Sequence, residues 1–380
     1  MMAWLVILAV TLAAFAAGIV FLIGSVSRSE TLEKACGGRR GRQIAAAAGV
    51  VAAVFGASWL AMSLVNAIVV LLHWLAFSLL TEAVFRLAVW FAGRHKTEDR
   101  PSGRGEKREP SRRLRIRLAA LLTALWLAAG YVCCRQIRQT NYTLRTDKPV
   151  GGLRVALLAD SHLGVTLDGE RMAAELERIE AQSPDILLIA GDFVDDGSSK
   201  ADLLRTCEAL GQLNLRYGVW FSYGNHDKGY FGSRDFTAQE LEDALRGCGV
   251  HILEDECVCV DGRFNLAGRM DATDGQRREI SALLQDADSS LYTIVMDHVP
   301  GDYEQEAAST ADLVVSGHTH GGQLLPITWI GEWFGMNDRT YGYERRGGTD
   351  FIVTSGISDW ELLFKTGTMS EFVILDIQSA

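Results

Sequence analysis

The chain opens with apolar runs of helical length. Ala3 to Ile23 is 21 residues without a charge, and a bilayer core asks for roughly 20 helical residues, so a span is predicted there. Residues 44–93 form a second apolar block, broken only by Glu82 and Arg86. As one helix it would be about 75 Å long at 1.5 Å per residue, too long to cross once. The pattern therefore predicts two antiparallel helices, 44–63 and 67–90, turning near Ser63 and Asn66, with a shorter fourth at 118–134. Glu82 and Arg86 stand four apart, the spacing of an ion pair near a membrane face. From residue 152 the pattern changes to short apolar runs with little alternation, each stopping at a polar cluster. Leu153–Ala159, Ile186–Ala190, Val219–Tyr223, Leu291–Met296 and Asp312–Ser316 read as strands buried on both faces. The stretches Glu170–Gln182 and Lys200–Leu213 carry helical spacing. Strand and helix in alternation predict an α/β sheet, and ligands of such sheets sit beyond the carboxyl ends of the strands. The predicted organisation is a transmembrane region over 1–134, a linker over 135–151 and a folded domain over 152–380.

Charge sharpens this division. Residues 1–149 hold 20 Lys and Arg against 8 Asp and Glu, net +12, whereas the remainder carries 17 against 39, net −22. The acidic half would repel a phosphate backbone, which excludes a nucleic-acid partner of the usual kind. Lys and Arg are retained on the cytoplasmic side of short loops. Segment 25–42 has five and segment 94–117 has ten, and neither the N-terminal tail nor the turn near residue 65 has any. Four spans with those two loops inside make a multi-pass cell-membrane protein whose C-terminal domain is extracytoplasmic; Arg135, Arg138, Arg145 and Lys148 weaken this bias without reversing it. Segment 94–117, with Pro101, Gly103, Gly105 and Pro110, reads as a mobile loop. The seven cysteines include no metal-type C-x-x-C pair and read as buried free thiols, although a bridge is permitted outside the cell.

The strand ends carry the candidate chemistry. They are Asp160-Ser161-His162, Gly191-Asp192-Phe193-Val194-Asp195, Gly224-Asn225-His226-Asp227, Asp297-His298 and Gly317-His318-Thr319-His320-Gly321-Gly322-Gln323. Five of the eight histidines lie in these clusters. With Asp160, Asp192 and Asn225 they form a nitrogen-and-oxygen donor set without thiolate, suited to divalent Mn, Fe or Zn. One ion could not use so many donors, and a carboxylate can bridge two. A pair of ions clamps the attacking and departing oxygens of a displacement at phosphorus and lowers the pKa of a bridging water, which points to phosphoester hydrolysis. His73, His95 and His251 have no partners in sequence and read as solvated or packed.

The five motifs in this order resemble the calcineurin-like metallophosphoesterase superfamily over residues 152 to about 377, and, behind an N-terminal membrane region, its membrane-anchored branch. The resemblance implies a four-layer α/β/β/α sandwich with two mixed sheets, here preceded by the four-helix transmembrane region. It implies that Asp160, His162 and His320 hold one ion, that Asp192 bridges, and that Asn225, His298 and His318 hold the other. His226 is similar to the family residue that protonates the leaving oxygen or stabilises charge. Asp195 and Asp227 match positions close behind the site, and equally read as turn and cap carboxylates. Ser355–Trp360 and Leu363–Lys365 depart from the branch's C-terminal pattern, which puts the substrate rim in question.

The expected activity is thus a membrane-anchored, dinuclear-metal phosphoester hydrolase, a phosphodiesterase by its branch, acting on an envelope or lipid-linked substrate. The alternatives are a metal- or phosphate-binding sensor or scaffold without hydrolysis, and a cytoplasm-facing hydrolase of a nucleotide-lipid pyrophosphate.

Overall fold

A computed structural model describes residues 2–94, 112–273 and 275–379. Residues 95–111 of the loop expected over 94–117, with His95, lie outside the described residues, whereas 112–117 are already helical. The chain divides into two compact units, Met1–Ala129 and Gly130–Ala380.

The first unit is helical: α1 (Met2–Ser27), α2 (Glu30–Ala35), α3 (Arg40–Ala61), α4 (Leu64–Arg94) and most of α5 (Arg112–Arg135). Among the described residues three helices, not four, are long and apolar enough to cross a membrane: Arg40–Ala61, Leu64–Phe91 and Arg113–Arg135. In α1 the described apolar stretch is the shorter Ala13–Ser27. The long apolar block breaks where expected. Ser63 Oγ accepts from the backbone N–H of Asn66 at 3.2 Å and from its side-chain amide at 2.8 Å, satisfying donors that a helix start leaves open. Leu22 and Val26 of α1, Ala47 and Val51 of α3, and Leu71 and Trp74 of α4 form one buried cluster. Glu82 pairs with Arg86 at 2.8 Å and also with Arg115 at 3.0 Å.

The second unit is built on two six-stranded mixed sheets. The first runs in the order β1 (Arg138–Thr146), β12 (Glu371–Ser379), β2 (Gly152–Leu158), β3 (Ile186–Ala190), β4 (Val219–Ser222) and β5 (His251–Leu253). The second runs β10 (Gly342–Arg346), β11 (Thr349–Val353), β9 (Leu313–Ser316), β8 (Tyr292–Met296), β7 (Phe264–Gly268) and β6 (Glu256–Val260). Residues 138–146, expected as linker, are instead a nine-residue edge strand parallel to β12. Their run Arg-Gln-Thr-Asn-Tyr-Thr-Leu-Arg-Thr lacks an apolar face because an edge strand is held by backbone pairing, here to a segment more than 230 residues away.

Strands β2 and β3 read as continuous apolar runs because both faces are covered. Ala156, Leu158, Leu187 and Ile189 pack with Met172 and Leu176 of α6 (Gly169–Glu180), Leu203 and Leu210 of α7 (Lys200–Gln212) and Leu241 of α8 (Ala238–Gly247). The alternate residues Val155, Leu157, Ile186 and Leu188 join Leu266, Ile294, Met296, Leu313 and Ile352 of the second sheet. Each buried Leu, Ile, Val or Met among them contributes about 1.5–3 kcal/mol. Helix starts are fixed locally, by Asp168 for α6, Ser199 for α7 and a Thr237–Glu240 capping box for α8. Because β2, β3 and β4 are mutually parallel, as are β7, β8 and β9, their carboxyl ends fall on common edges, and the polar clusters follow those ends.

Candidate metal centre

Short backbone bonds draw the strand ends together: Asp160 N–H to Gly191 O at 3.0 Å, His162 N–H to Asp192 O at 3.1 Å, and Gly317 N–H to His298 O at 3.1 Å. The turns are sharp. Asp160, His162, Asp192, His318 and His320 all have positive φ, between 35° and 70°. Such conformations cost on the order of 1–3 kcal/mol each in a non-glycine residue and persist where the surroundings fix them. Gly191, at φ 83°, meets a different demand: a Cβ there would lie 2.6 Å from His298 Nδ1 and 2.7 Å from Gly224 N.

Two donor groups result, Asp160 with His162 and His320, and Asp192 with His298 and His318, the donor atoms of each lying within 4.8 Å of one another. Asp192 Oδ2 stands between them, 3.6 Å from His162 Nε2 and 3.0 Å from His298 Nε2. Asn225 joins the second group, its Oδ1 2.9 Å from His318 Nδ1. The seven residues expected as ligands are thus brought together.

The fit to cations rests on unpartnered nitrogen. His162 is wholly buried, yet neither ring nitrogen makes a hydrogen bond, and His298 Nε2 and His320 Nδ1 are likewise buried without one. A buried polar atom left so costs about 1–3 kcal/mol, which ligation would remove. The field agrees. Burial alone would lower the pKa of His298, but Asp192 against it raises it well above the ordinary range. Burial would raise Asp192, and His298 more than reverses that. The carboxylates therefore call for positive charge at this spot. His318, by contrast, is lowered to about 4, first by burial and then by the neighbouring His298.

The remaining expected residues separate. His226 is half-buried beside the centre, its ring 5.0 Å from that of His162, 5.1 Å from Tyr230 and 5.4 Å from Trp360, and burial lowers its pKa. Asp195 is both a turn residue and a backing residue. Its Oδ1 accepts from Gly197 N–H at 2.8 Å, while Oδ2 lies 3.5 Å from His162 Nδ1. Asp227 does not face the hollow: its two oxygens accept the backbone N–H groups of Asp192, Phe193, Val194 and Gly224 at 2.7–3.1 Å, so it holds the turns that carry Asp192 and Asn225. Burial, and then Asp192, raise its carboxyl to about 7. His251 stacks on Trp220 at 4.3 Å and His73 bonds Val69 O at 2.8 Å, and neither belongs to a donor group.

Two residues escaped the sequence reading as part of the centre. Asp359 and Lys365, assigned to a questionable substrate rim, are fully buried. Asp359 Oδ1 lies 3.6 Å from His320 Nδ1, and Lys365 Nζ lies 3.0 Å from the same oxygen. Neither stands in a histidine motif or beside a strand end that the pattern marked, so their spacing carried no signal.

Residues 153–322 match the family described as calcineurin-like phosphoesterase. The chain is 26% identical over 345 residues to a transmembrane protein with metallophosphoesterase domain from Bos taurus, covering 85% of this chain and 74% of that one. It is 33% identical over 197 residues to an uncharacterized metallophosphoesterase of Aquifex aeolicus, covering 50% of this chain and 72% of that one. Among solved structures, a dimetal phosphatase from Danio rerio aligns with a TM-score of 0.35 at 12% identity, over 55% of this chain and 88% of that one. The chain belongs to the calcineurin-like phosphoesterases, a family of metal-dependent phosphoester hydrolases.

Proposed function

We propose that this is a multi-pass membrane phosphodiesterase with a dinuclear centre, its catalytic domain extracytoplasmic, acting on an envelope or lipid-linked substrate. Asp160, His162 and His320 would hold one divalent ion, Asn225, His298 and His318 the other, with Asp192 bridging, and Mn, Fe and Zn all suit the donors. The observation that carries this reading is Asp192 Oδ2 between His162 and His298, a carboxylate shared by two donor groups. Bound ions would neutralise the phosphoryl oxygens and lower the pKa of a water lying between them.

The chain's own residues do the rest. Asp195 and Asp359 orient the imidazoles of His162 and His320 from behind, as carboxylates do for ligating histidines. Asp227 fixes the two turns. His226, held largely neutral by its lowered pKa, would donate a ring N–H to charge that builds on the phosphoryl or departing oxygen. Tyr230 and Trp360, about half exposed beside it, offer an aromatic wall to the ester group. The two sheets packed through Leu157 and Ile294, with helices over the first, support the α/β/β/α layering, and α1 would supply a fourth span.

Metal analysis of the full-length protein, with hydrolysis of bis(p-nitrophenyl) phosphate, p-nitrophenyl phosphate and a pyrophosphate in Mn, Fe and Zn, tests the reading. Two ions per chain, chelator-sensitive turnover and preference for the diester are expected. Bound metal with no hydrolysis of any ester would leave a sensor or scaffold.

A further inference from the structure

We propose that the segment 327–336 lies in the interfacial layer of the membrane the chain spans, and that the hollow beside it takes the apolar tail of a lipid phosphoester. This deepens, and rests on, the phosphoesterase reading above. Ile327 is 52% exposed, Trp329 45%, Trp333 70%, Phe334 78% and Met336 61%. Single exposed apolar side chains are ordinary, but five large ones within ten residues form a patch, and such patches mark contacts. The only charged residue in the segment is Glu332, and its Oε1 is turned to the backbone N–H of Thr340 at 2.5 Å. Trp329 and Trp333 stand with ring centroids 6.4 Å apart. Tryptophan is the side chain that settles at the headgroup level, apolar ring inward and N–H toward water.

Bilayer lipid is named as the occupant because of where the segment is tied. Leu325 N–H bonds Thr366 Oγ1 at 2.9 Å and Thr366 N–H bonds Gln323 O at 2.7 Å. The next residue back, Lys365, donates its N–H to Gly130 O at 3.0 Å, and Cys134 Sγ lies 3.7 Å from Leu362 O. Gly130 and Cys134 belong to the last turns of α5, whose apolar span ends at Arg135. The patch is thus fastened beside the point where that span leaves the membrane, and Tyr131 with Arg135 over its ring at 4.5 Å is an interfacial anchor at the same level. A hollow of about 280 Å³ lies against this segment and reaches the histidine turn at Thr319. Thr319, between His318 and His320, lines it together with Gln323, and so do Ile327, Ile330, Met336 and Leu362. A substrate whose phosphorus reaches the histidine turn would find apolar lining leading toward the patch.

The test uses the full-length protein in nanodiscs of phosphatidylcholine and phosphatidylglycerol, with a photoreactive residue introduced as Phe334→benzoylphenylalanine. Asp261→benzoylphenylalanine, on the turn between β6 and β7, is the control. Mass spectrometry after irradiation should find lipid attached at 334 well above the yield at 261. Equal yields, or capture of water or protein alone at 334, would overturn the docking. A second arm compares the Trp333→Ser/Phe334→Ser double variant on two esters. Turnover of p-nitrophenyl hexadecyl phosphate in vesicles should fall about tenfold or more, the scale of losing one buried aromatic contact. Water-soluble bis(p-nitrophenyl) phosphate should change by no more than about twofold, as exposed substitutions do. Parallel loss on both esters counts against the proposal. If the parent protein cleaves neither ester, the phosphoesterase reading fails, and lipid capture at 334 still decides the docking on its own.

Discussion

Asp359, fully buried, stands 3.6 Å behind Nδ1 of His320. The carboxylate is itself held by Lys365, whose Nζ also donates to Ser355 O at 2.6 Å. A carboxylate in this position fixes the tautomer and direction of a ligating ring, and its loss commonly weakens metal binding by about 10- to 100-fold. Asp359→Asn should therefore bind Mn that much more weakly in calorimetry of the metal-depleted protein, with the fold intact by circular dichroism. Lys365→Met alone leaves a buried carboxylate unpaired and should cost on the order of 3–5 kcal/mol of stability. The double variant should recover much of that loss. Unaltered metal affinity in Asp359→Asn would reduce the pair to a packing feature.

His226 faces the centre without belonging to either donor group. His226→Ala should retain both ions by elemental analysis while kcat on a chromogenic diester drops by about 100-fold or more, the range typical of a group that moves or shares a proton with the reacting atoms. Loss of metal in step with activity would mean that His226 serves the ligands rather than the ester.

Glu306 is fully buried, its Oε1 3.2 Å from Arg269 Nη1. Burial, and then the nearby Asp297, raise its pKa well above the usual 4.5. A carboxyl raised in the native state holds its proton longer there than in the unfolded chain, so its contribution is fully present below about pH 4.5 and is lost as pH climbs. Glu306→Gln, which cannot ionise, should flatten the decline in Tm between pH 5 and higher pH in thermal melts. Parallel Tm profiles for the two proteins would mean that Glu306 is ionised in the folded state.

Cys207 and Cys248 are both free, Cys248 Sγ donating to Leu245 O at 3.1 Å, and the neighbouring Cys248, then burial, raises the Cys207 thiol. If the domain is extracytoplasmic, an oxidising environment should join them. Protein isolated from membranes and alkylated without reductant should then keep two thiols unlabelled that become reactive after reduction. Labelling of all seven cysteines in unreduced, denatured protein would speak for the opposite orientation.

The sequence alone determined which candidate ligands stand at strand ends. Asp160, His162, Asp192, Asn225, His298, His318 and His320 each follow an apolar run of strand length, and parallel strands must end on one edge. Burial on both faces makes those runs continuous, so β2, β3, β4, β8 and β9 were legible, as was the break between α3 and α4 at Ser63. Tertiary structure decided what depends on partners distant in the chain. The polar strand β1 exists because β12 pairs with it across more than 230 residues, and no local periodicity records that. Asp227 read equally as a residue behind the site and as a turn carboxylate; it is a clamp on four backbone N–H groups, because its side chain turns toward the loops and not toward the donor groups. Asp359 and Lys365 lie in an irregular C-terminal stretch and acquire their place behind His320 only when that stretch folds under the histidine turn. Spacing along a chain reports the faces of regular elements, whereas the partners of a buried charge in a loop are set by packing alone.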